Sequence, residues 1–187
     1  MICDAHCHLD LMNNMPDFIN EVQNSDMSLF AVGTTPRAYN REVQFCKNTQ
    51  NIYVGLGMHP QLVSSGYDDM QVFKEVFEQN HYIGEVGLDF SKGYIRTKES
   101  QIKIFSEIIR LCEQHGEKVI SIHSLKSTSA VIEILKTYKM QNNNRYINNH
   151  NSHNSKYTNN KDNNIILNNI INNINNNNIH NNNNQTE

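Results

Sequence analysis

The sequence predicts an α/β fold, with five βα units laid out as the N-terminal part of a (β/α)8 barrel. Three observations predict it. Short apolar, β-branched runs alternate with longer amphipathic stretches over residues 1–140. His6 and His8, His59, Glu85 and His123 each fall at or near the C-terminal end of a different predicted strand, the rim where barrels assemble their active sites. A doubly wound sheet would instead show a Gly-rich phosphate turn after its first strand, and none follows Asp4.

The predicted strands are Ile2–Asp4, Ser28–Val32, Ile52–Gly57, Tyr82–Gly87 and Lys118–His123. Each is short and carries β-branched or other apolar residues, as parallel strands buried on both faces do. The predicted helices are Pro16–Gln23, Pro36–Lys47, Asp69–Gln79, Thr97–His115 and Lys126–Lys139. Pro16 and Pro36 suit first helical turns. The fourth helix has the clearest stripe: Ile102, Phe105, Ile109 and Cys112 recur at three- and four-residue spacing, with Lys103, Glu107, Arg110 and Glu113 elsewhere on the wheel. Thr97 is its expected N-cap and Gly116 its C-terminal stop.

Composition divides the 187 residues into two unlike parts. Residues 1–140 hold all of the Pro, Phe and Cys and read as one partial barrel domain. Across 141–187 roughly half the residues are Asn, and Gly and Pro are absent, so this low-complexity tail is expected to be disordered. Asn, Ile, Lys and Tyr share codons made only of A and T, so the tail also reads as translated AT-rich sequence. The net charge of -3 gives no basic block for free-standing nucleic-acid affinity. Four Cys without C-x-x-C spacing, no signal peptide and no long apolar run point to a cytoplasmic protein with reduced thiols and no membrane partner.

The chemistry begins with His6-Cys7-His8. Alternation along a strand sends both imidazoles to one face, where they can hold one divalent cation, and Cys7 to the other. Glu85 stands in the apolar run Tyr82 to Leu88, a costly place for a carboxylate unless it is paired, hydrogen-bonded or metal-bound, and that run has no basic residue. His123 ends the fifth strand. Asp89 reads equally as a turn-closing residue and as part of a site. This mixture of oxygen and nitrogen donors suits Mg, Mn or Zn.

Four segments carry a resemblance: Asp4-Ala5-His6-Cys7-His8-Leu9-Asp10, Gly55-Leu56-Gly57-Met58-His59-Pro60, Ile83-Gly84-Glu85-Val86-Gly87-Leu88-Asp89-Phe90 and Ile122-His123-Ser124. In order and spacing they resemble the TatD-type metal-dependent deoxyribonucleases, members of the metallo-hydrolase barrels, over about residues 1–140. Thr34-Thr35-Pro36-Arg37 and His59-Pro60-Gln61-Leu62 look closest to the TatD-like subgroup of Qat anti-phage systems. The resemblance implies a hydrolase of DNA phosphodiester bonds that uses two divalent metal ions. His6 and His8 would bind one, Glu85 would bridge both, and His123 would bind the second. Two such cations polarise a phosphoryl oxygen and stabilise the leaving oxygen. His59 reads as a loop-capping residue or as a contact to substrate phosphate, and Asp10 would orient a ligand His rather than bind metal. Ser124 and Lys126 read as loop residues or as phosphate contacts.

The chain also departs from that family. Three further βα units, with a ligand His after the sixth strand and an Asp after the eighth, have no counterpart. His150, His153, His180 and Asp162 lie in the Asn-rich tract and are not read as replacements. Five strands leave the first and fifth as unpaired edges. The expectation is a truncated barrel that is unstable, self-associated or completed by a partner chain. Two other readings stand beside the nuclease: a non-catalytic fragment or interaction module, and a metal-dependent hydrolase of a small phosphoester or amide. A carbamylated-Lys amidohydrolase would want Lys where this chain has Glu85.

Overall fold

A computed structural model of the chain describes residues 2–66, 68–116 and 118–149, with side chains up to Tyr138. Strands and helices alternate: β1 (Ile2–Cys7), α1 (Met15–Gln23), β2 (Met27–Val32), α2 (Pro36–Cys46), β3 (Ile52–Met58), α3 (Met70–Phe77), β4 (Tyr82–Asp89), α4 (Lys98–His115), β5 (Val119–Leu125) and α5 (Thr128–Asn149). All five predicted βα units are present. The chain divides after Ser127, so the five strands and α1–α4 form one unit and α5 belongs to the other.

The strands pair in parallel and in chain order, β1-β2-β3-β4-β5. A doubly wound sheet would put its first strand inside the sheet, whereas sequential order is that of a barrel. The sheet also curls. His6 on β1 reaches Ser121 on β5, with Nδ1 and Oγ 3.1 Å apart, although these strands lie at opposite edges of the pairing order. Among the described residues β1 and β5 each have one strand neighbour, as five strands of a larger barrel require.

Apolar strand positions face the helices. Leu29, Ala31, Ile52 and Val54 pack with Met15, Ile19 and Val22 of α1 and with Cys7, Leu9 and Cys46 in one core. Phe105, Ile108, Ile109 and Cys112 form the buried face of α4, close to the predicted stripe. Burial of each such side chain contributes roughly 1.5–3 kcal/mol. Of the two caps expected for α4, Gly116 is present and Thr97 is not, while α2 and α3 carry side-chain caps that were not expected. Thr35 accepts from Ala38 N–H at the start of α2, Asp69 accepts from Val72 N–H at the start of α3, and Gly116 closes α4 at φ 61. Thr97 precedes α4, but its hydroxyl donates to the Tyr94 carbonyl and accepts from Gln101 instead of capping.

Several strands run past their expected ends, β3 to Met58 and β4 to Asp89 among them. β1 continues through Cys7 and β5 through Leu125, so His6 and His123 lie within strands. α5 runs on to Asn149, past the predicted end at Lys139, because extending an existing helix costs far less than nucleating one. The expected disordered tail otherwise lies outside the described residues. No helix among them is long and apolar enough to cross a membrane. All four cysteines are free thiols. Burial pushes Cys46 up to about 11 and Cys112 up to about 12, which keeps both protonated and unreactive.

Candidate metal centre

The ligand-bearing strands are irregular where the ligands sit. Between the pairs Asp4↔Leu29 and Cys7↔Ala31, β1 takes three steps while β2 takes two, which makes a bulge around His6. On β4, Ile83 and Val86 pair with Leu56 and Met58 on one side and with Ile120 and Ile122 on the other. Gly84 and Glu85 therefore bulge relative to both neighbours. Glu85 N–H donates instead to the Gly33 carbonyl at 2.9 Å, and Gly33 N–H donates to the Gly84 carbonyl at 2.9 Å. These bonds join β4 to the end of β2 over the top of β3. They are possible because Gly57 lies beneath, where a Cβ would stand only 1.6 Å from Gly33 O.

The bulges turn His6, His8 and Glu85 to a common point. His6 Nε2 and His8 Nε2 are 3.3 Å apart. Glu85 Oε2 lies 3.4 Å from His6 Nε2 and 3.1 Å from His8 Nε2. Donor atoms held at about 2.0–2.1 Å from one tetrahedral cation would stand roughly 3.3 Å from one another. The three atoms thus form the face of a coordination polyhedron. Each ring is oriented from behind: His6 Nδ1 meets Ser121 Oγ, and His8 Nδ1 points toward Asp10 Oδ1 at 3.8 Å and the Val32 carbonyl. With a cation at that point, each Nδ1 would carry the proton and each Nε2 lone pair would face the metal, whereas without one His8 Nε2 donates to Glu85.

Glu85 also belongs to a second group. Its Oε1 meets His123 Nδ1 at 2.8 Å, and its Oε2 stands 3.4 Å from His59 Nε2. His6, His8 and Glu85 form one trio able to hold a cation, and His59, Glu85 and His123 form another. Glu85 is buried, which pushes its carboxyl up, but hydrogen bonds from His123, His59 and His8 outweigh burial and hold it well below the usual carboxylate range. His8 is raised, first by its hydrogen bond to Glu85. Burial lowers His123, but Glu85 and Asp89 on either side outweigh it and raise the ring overall.

His59 differs from the other three histidines. Its Nδ1 accepts from Gln61 N–H at 3.3 Å. A neutral imidazole has one acceptor nitrogen, so Nε2 carries the proton and donates toward Glu85. His123 Nε2 lies 3.3 Å from Asp89 Oδ2, so its Nε2–H faces an acceptor and its Nδ1 is the nitrogen available to a cation.

All the predicted site residues converge here. Asp10 stands behind His8, and its Oδ2 accepts from Thr34 N–H at 3.0 Å and from the Thr34 hydroxyl. Three contributors were not anticipated from sequence. Ser121 seats His6, Gln61 donates to Asp89 Oδ2 at 2.7 Å, and the Gly33–Thr34 turn binds Glu85, Asp10 and His59 N–H at once. Ser121 had a readable signal, since it lies two residues before His123 on the same strand face. Asp89 is fully buried and faces His123, so it serves the site and the turn together, accepting also from Ser91 N–H. Ser124 lies 3.4 Å from Ser127 across the loop, and Lys126 is exposed with φ 55. His150, His153, His180 and Asp162 lie outside the described residues.

Comparison with known proteins places the chain among relatives of the same kind. The family described as TatD related DNase matches residues 3–167. An uncharacterized metal-dependent hydrolase of Buchnera aphidicola is 27% identical over 144 residues, covering 72% of this chain and 54% of that protein. The crystal structure of YJJV, a TatD homologue from Escherichia coli K12, superposes with a TM-score of 0.63 at 22% identity, covering 73% of this chain and 56% of the other. The chain therefore spans about half the length of the relatives it matches.

Proposed function

Because the chain belongs to the TatD-related DNase family, we propose that its histidine–glutamate centre is a divalent-metal-dependent site for hydrolysing phosphodiester bonds in DNA. The observation that carries this reading is the triangle of His6 Nε2, His8 Nε2 and Glu85 Oε2, with sides of 3.1–3.4 Å. His6, His8 and Glu85 Oε2 would hold one cation, and Glu85 Oε1 with His123 Nδ1 would hold a second. The nitrogen-rich first set favours Zn or Mn, and the second can also take Mg. Bound there, such cations supply Lewis-acid polarisation of a phosphoryl oxygen and a water of lowered pKa.

The chain's own residues do the rest. Ser121 seats the His6 ring, Asp10 places a carboxylate 3.8 Å behind His8, and Asp89 lies 3.3 Å behind His123. His59, carrying its proton on Nε2, is a hydrogen-bond donor beside Glu85 and suits a phosphoryl oxygen. The other reading is a metal-binding chain without turnover.

The test uses the purified full chain, stripped with chelator and reloaded with Mg, Mn or Zn. Metal-dependent cleavage of an oligodeoxynucleotide, lost in His6→Ala combined with His8→Ala, supports the reading. Metal uptake without cleavage supports the non-catalytic reading. Cleavage of a small phosphodiester but not of DNA shifts the substrate class.

A further inference from the structure

The rim formed by the C-terminal strand ends is electrically lopsided. The loops after β1, β2 and β3, residues 8–14, 33–35 and 59–69, carry three carboxylates, Asp10, Asp68 and Asp69, and no Lys or Arg. The loops after β4 and β5, residues 90–97 and 126–127, carry three cations, Lys92, Arg96 and Lys126, and no carboxylate. All three cations are exposed, and none has an ion-pair partner among the described residues. Arg37, at the start of α2, is by contrast taken up by Asp69 at 2.9 Å. On a chain of net charge -3, a group of unpaired cations at one part of the rim is a local exception.

The two cationic loops start side by side. Phe90 N–H donates to the Leu125 carbonyl at 2.8 Å, and Asp89 pairs with Leu125 across β4 and β5. Both loops leave from the candidate metal centre. Asp89 faces His123 at 3.3 Å, and Lys126 follows His123 by three residues, no more than about 11 Å of extended chain. The longer loop is shaped in advance. Gln101, fully buried on α4, accepts from Asp89 N–H at 2.7 Å and donates to the Tyr94 carbonyl at 3.1 Å and to the Thr97 hydroxyl oxygen at 2.9 Å. Tyr94 N–H and Ile95 N–H both donate to the Ser91 carbonyl, and Lys98 at the loop's end lies 4.9 Å over the Phe90 ring. The backbone that carries Lys92 and Arg96 is therefore fixed without a ligand, so binding there does not have to order it.

We propose that these two loops form the docking track for the phosphate backbone of DNA beside the scissile bond, with Lys92, Arg96 and Lys126 as its phosphate contacts. Their role rests on the function proposed above, and it sets the side of the centre along which the strand runs. A polyanion gains from three cations on that side and meets three carboxylates along the rest of the described rim, so charge selects the path. Three contacts are too few for tight binding by themselves, in keeping with a chain that has no basic block. They add to what the reacting phosphodiester gains at the centre, and a small phosphodiester does not use them.

The test compares the full chain with a rim variant, Lys92→Gln, Arg96→Gln and Lys126→Gln combined. A control of equal charge combines Arg41→Gln, Lys47→Gln and Lys103→Gln, exposed cations on α2, at its end and on α4. With Mn2+ and about 50 mM salt, the rim variant should cleave a single-stranded oligodeoxynucleotide with KM raised about tenfold or more and kcat within about twofold. The control should match wild type, and cleavage of a small nitrophenyl phosphodiester should be the same in all three proteins. Without metal, fluorescence anisotropy of the labelled oligonucleotide at several salt concentrations gives the salt dependence of log Kd. Its slope should be smaller by about 2 in the rim variant, the value for three single-strand phosphate contacts at about 0.7 each. A rim variant with wild-type KM or wild-type slope overturns the proposal, as does a control as impaired as the rim variant. A wild type that cleaves no DNA with Mg, Mn or Zn defeats the function proposed above, and the metal-free slopes then decide the track alone. A wild type that binds the oligonucleotide in neither state overturns the track as well.

Discussion

His59 and His123 flank the same carboxylate, yet the atom behind each ring gives them different roles. Gln61 N–H occupies the Nδ1 lone pair of His59, which makes Nε2 a donor, while Asp89 behind His123 Nε2 leaves Nδ1 for a cation. His59→Ala should therefore leave metal affinity nearly unchanged and lower kcat by about 100-fold or more, the usual cost of losing a donor to a developing oxyanion. His123→Ala should lower metal stoichiometry. Metal titration alongside steady-state kinetics separates the two. Glu42, on α2, gives a residue-level pH prediction, because burial pushes its carboxyl up. It ionises near its ordinary 4.5 when unfolded and near 7 when folded, so between those values the folded state holds the extra proton. Stability should therefore fall as pH rises through that window, by on the order of 3 kcal/mol in total. Glu42→Gln should flatten the slope, read as urea midpoints at about pH 5 and about pH 8.

The elements supply what single residues cannot, namely aim. His6, His8, Glu85 and His123 were legible in the sequence because strand alternation and apolar runs mark where polar side chains are anomalous. The bulges that aim His6 and Glu85 were not legible, because register is a relation between strands and leaves little trace in either one. Gly84 before Glu85 was the only local hint. The Gly33 bridge from β2 to β4 was equally hidden, since it depends on what lies over Gly57. Gly57→Ala should accordingly be severe. Its Cβ would meet backbone rather than a yielding side chain, and the loss should be about 3 kcal/mol or more. Denaturant unfolding in the absence of metal measures it. Gly66→Ala is unsuited as a control because of its φ of 88, whereas Gly93→Ala meets nothing within 4 Å and should shift the midpoint little.

At the scale of the whole molecule, the described residues carry five parallel strands in barrel order, and the chain spans about half the length of the relatives it matches. The fold class was readable because βα alternation is a long-range periodic signal. The curl that brings His6 to Ser121 was not, because it arises from twist accumulated across five strands. Glu85 on β4 belongs both to the group with His6 and His8 and to the group with His123 on β5, so two bound cations would together tie the two edges of the sheet through it. Saturating metal at about 100 times its Kd should then add about 2.7 kcal/mol of stability, and a chelator should remove it. The most direct measurement is cleavage of a single-stranded oligodeoxynucleotide by the metal-stripped full chain, with and without added Mn2+, in wild type and Glu85→Gln. The predicted result is cleavage that requires Mn2+ and disappears in Glu85→Gln. Cleavage that persists in Glu85→Gln, or no cleavage by wild type with Mg, Mn or Zn, would contradict it.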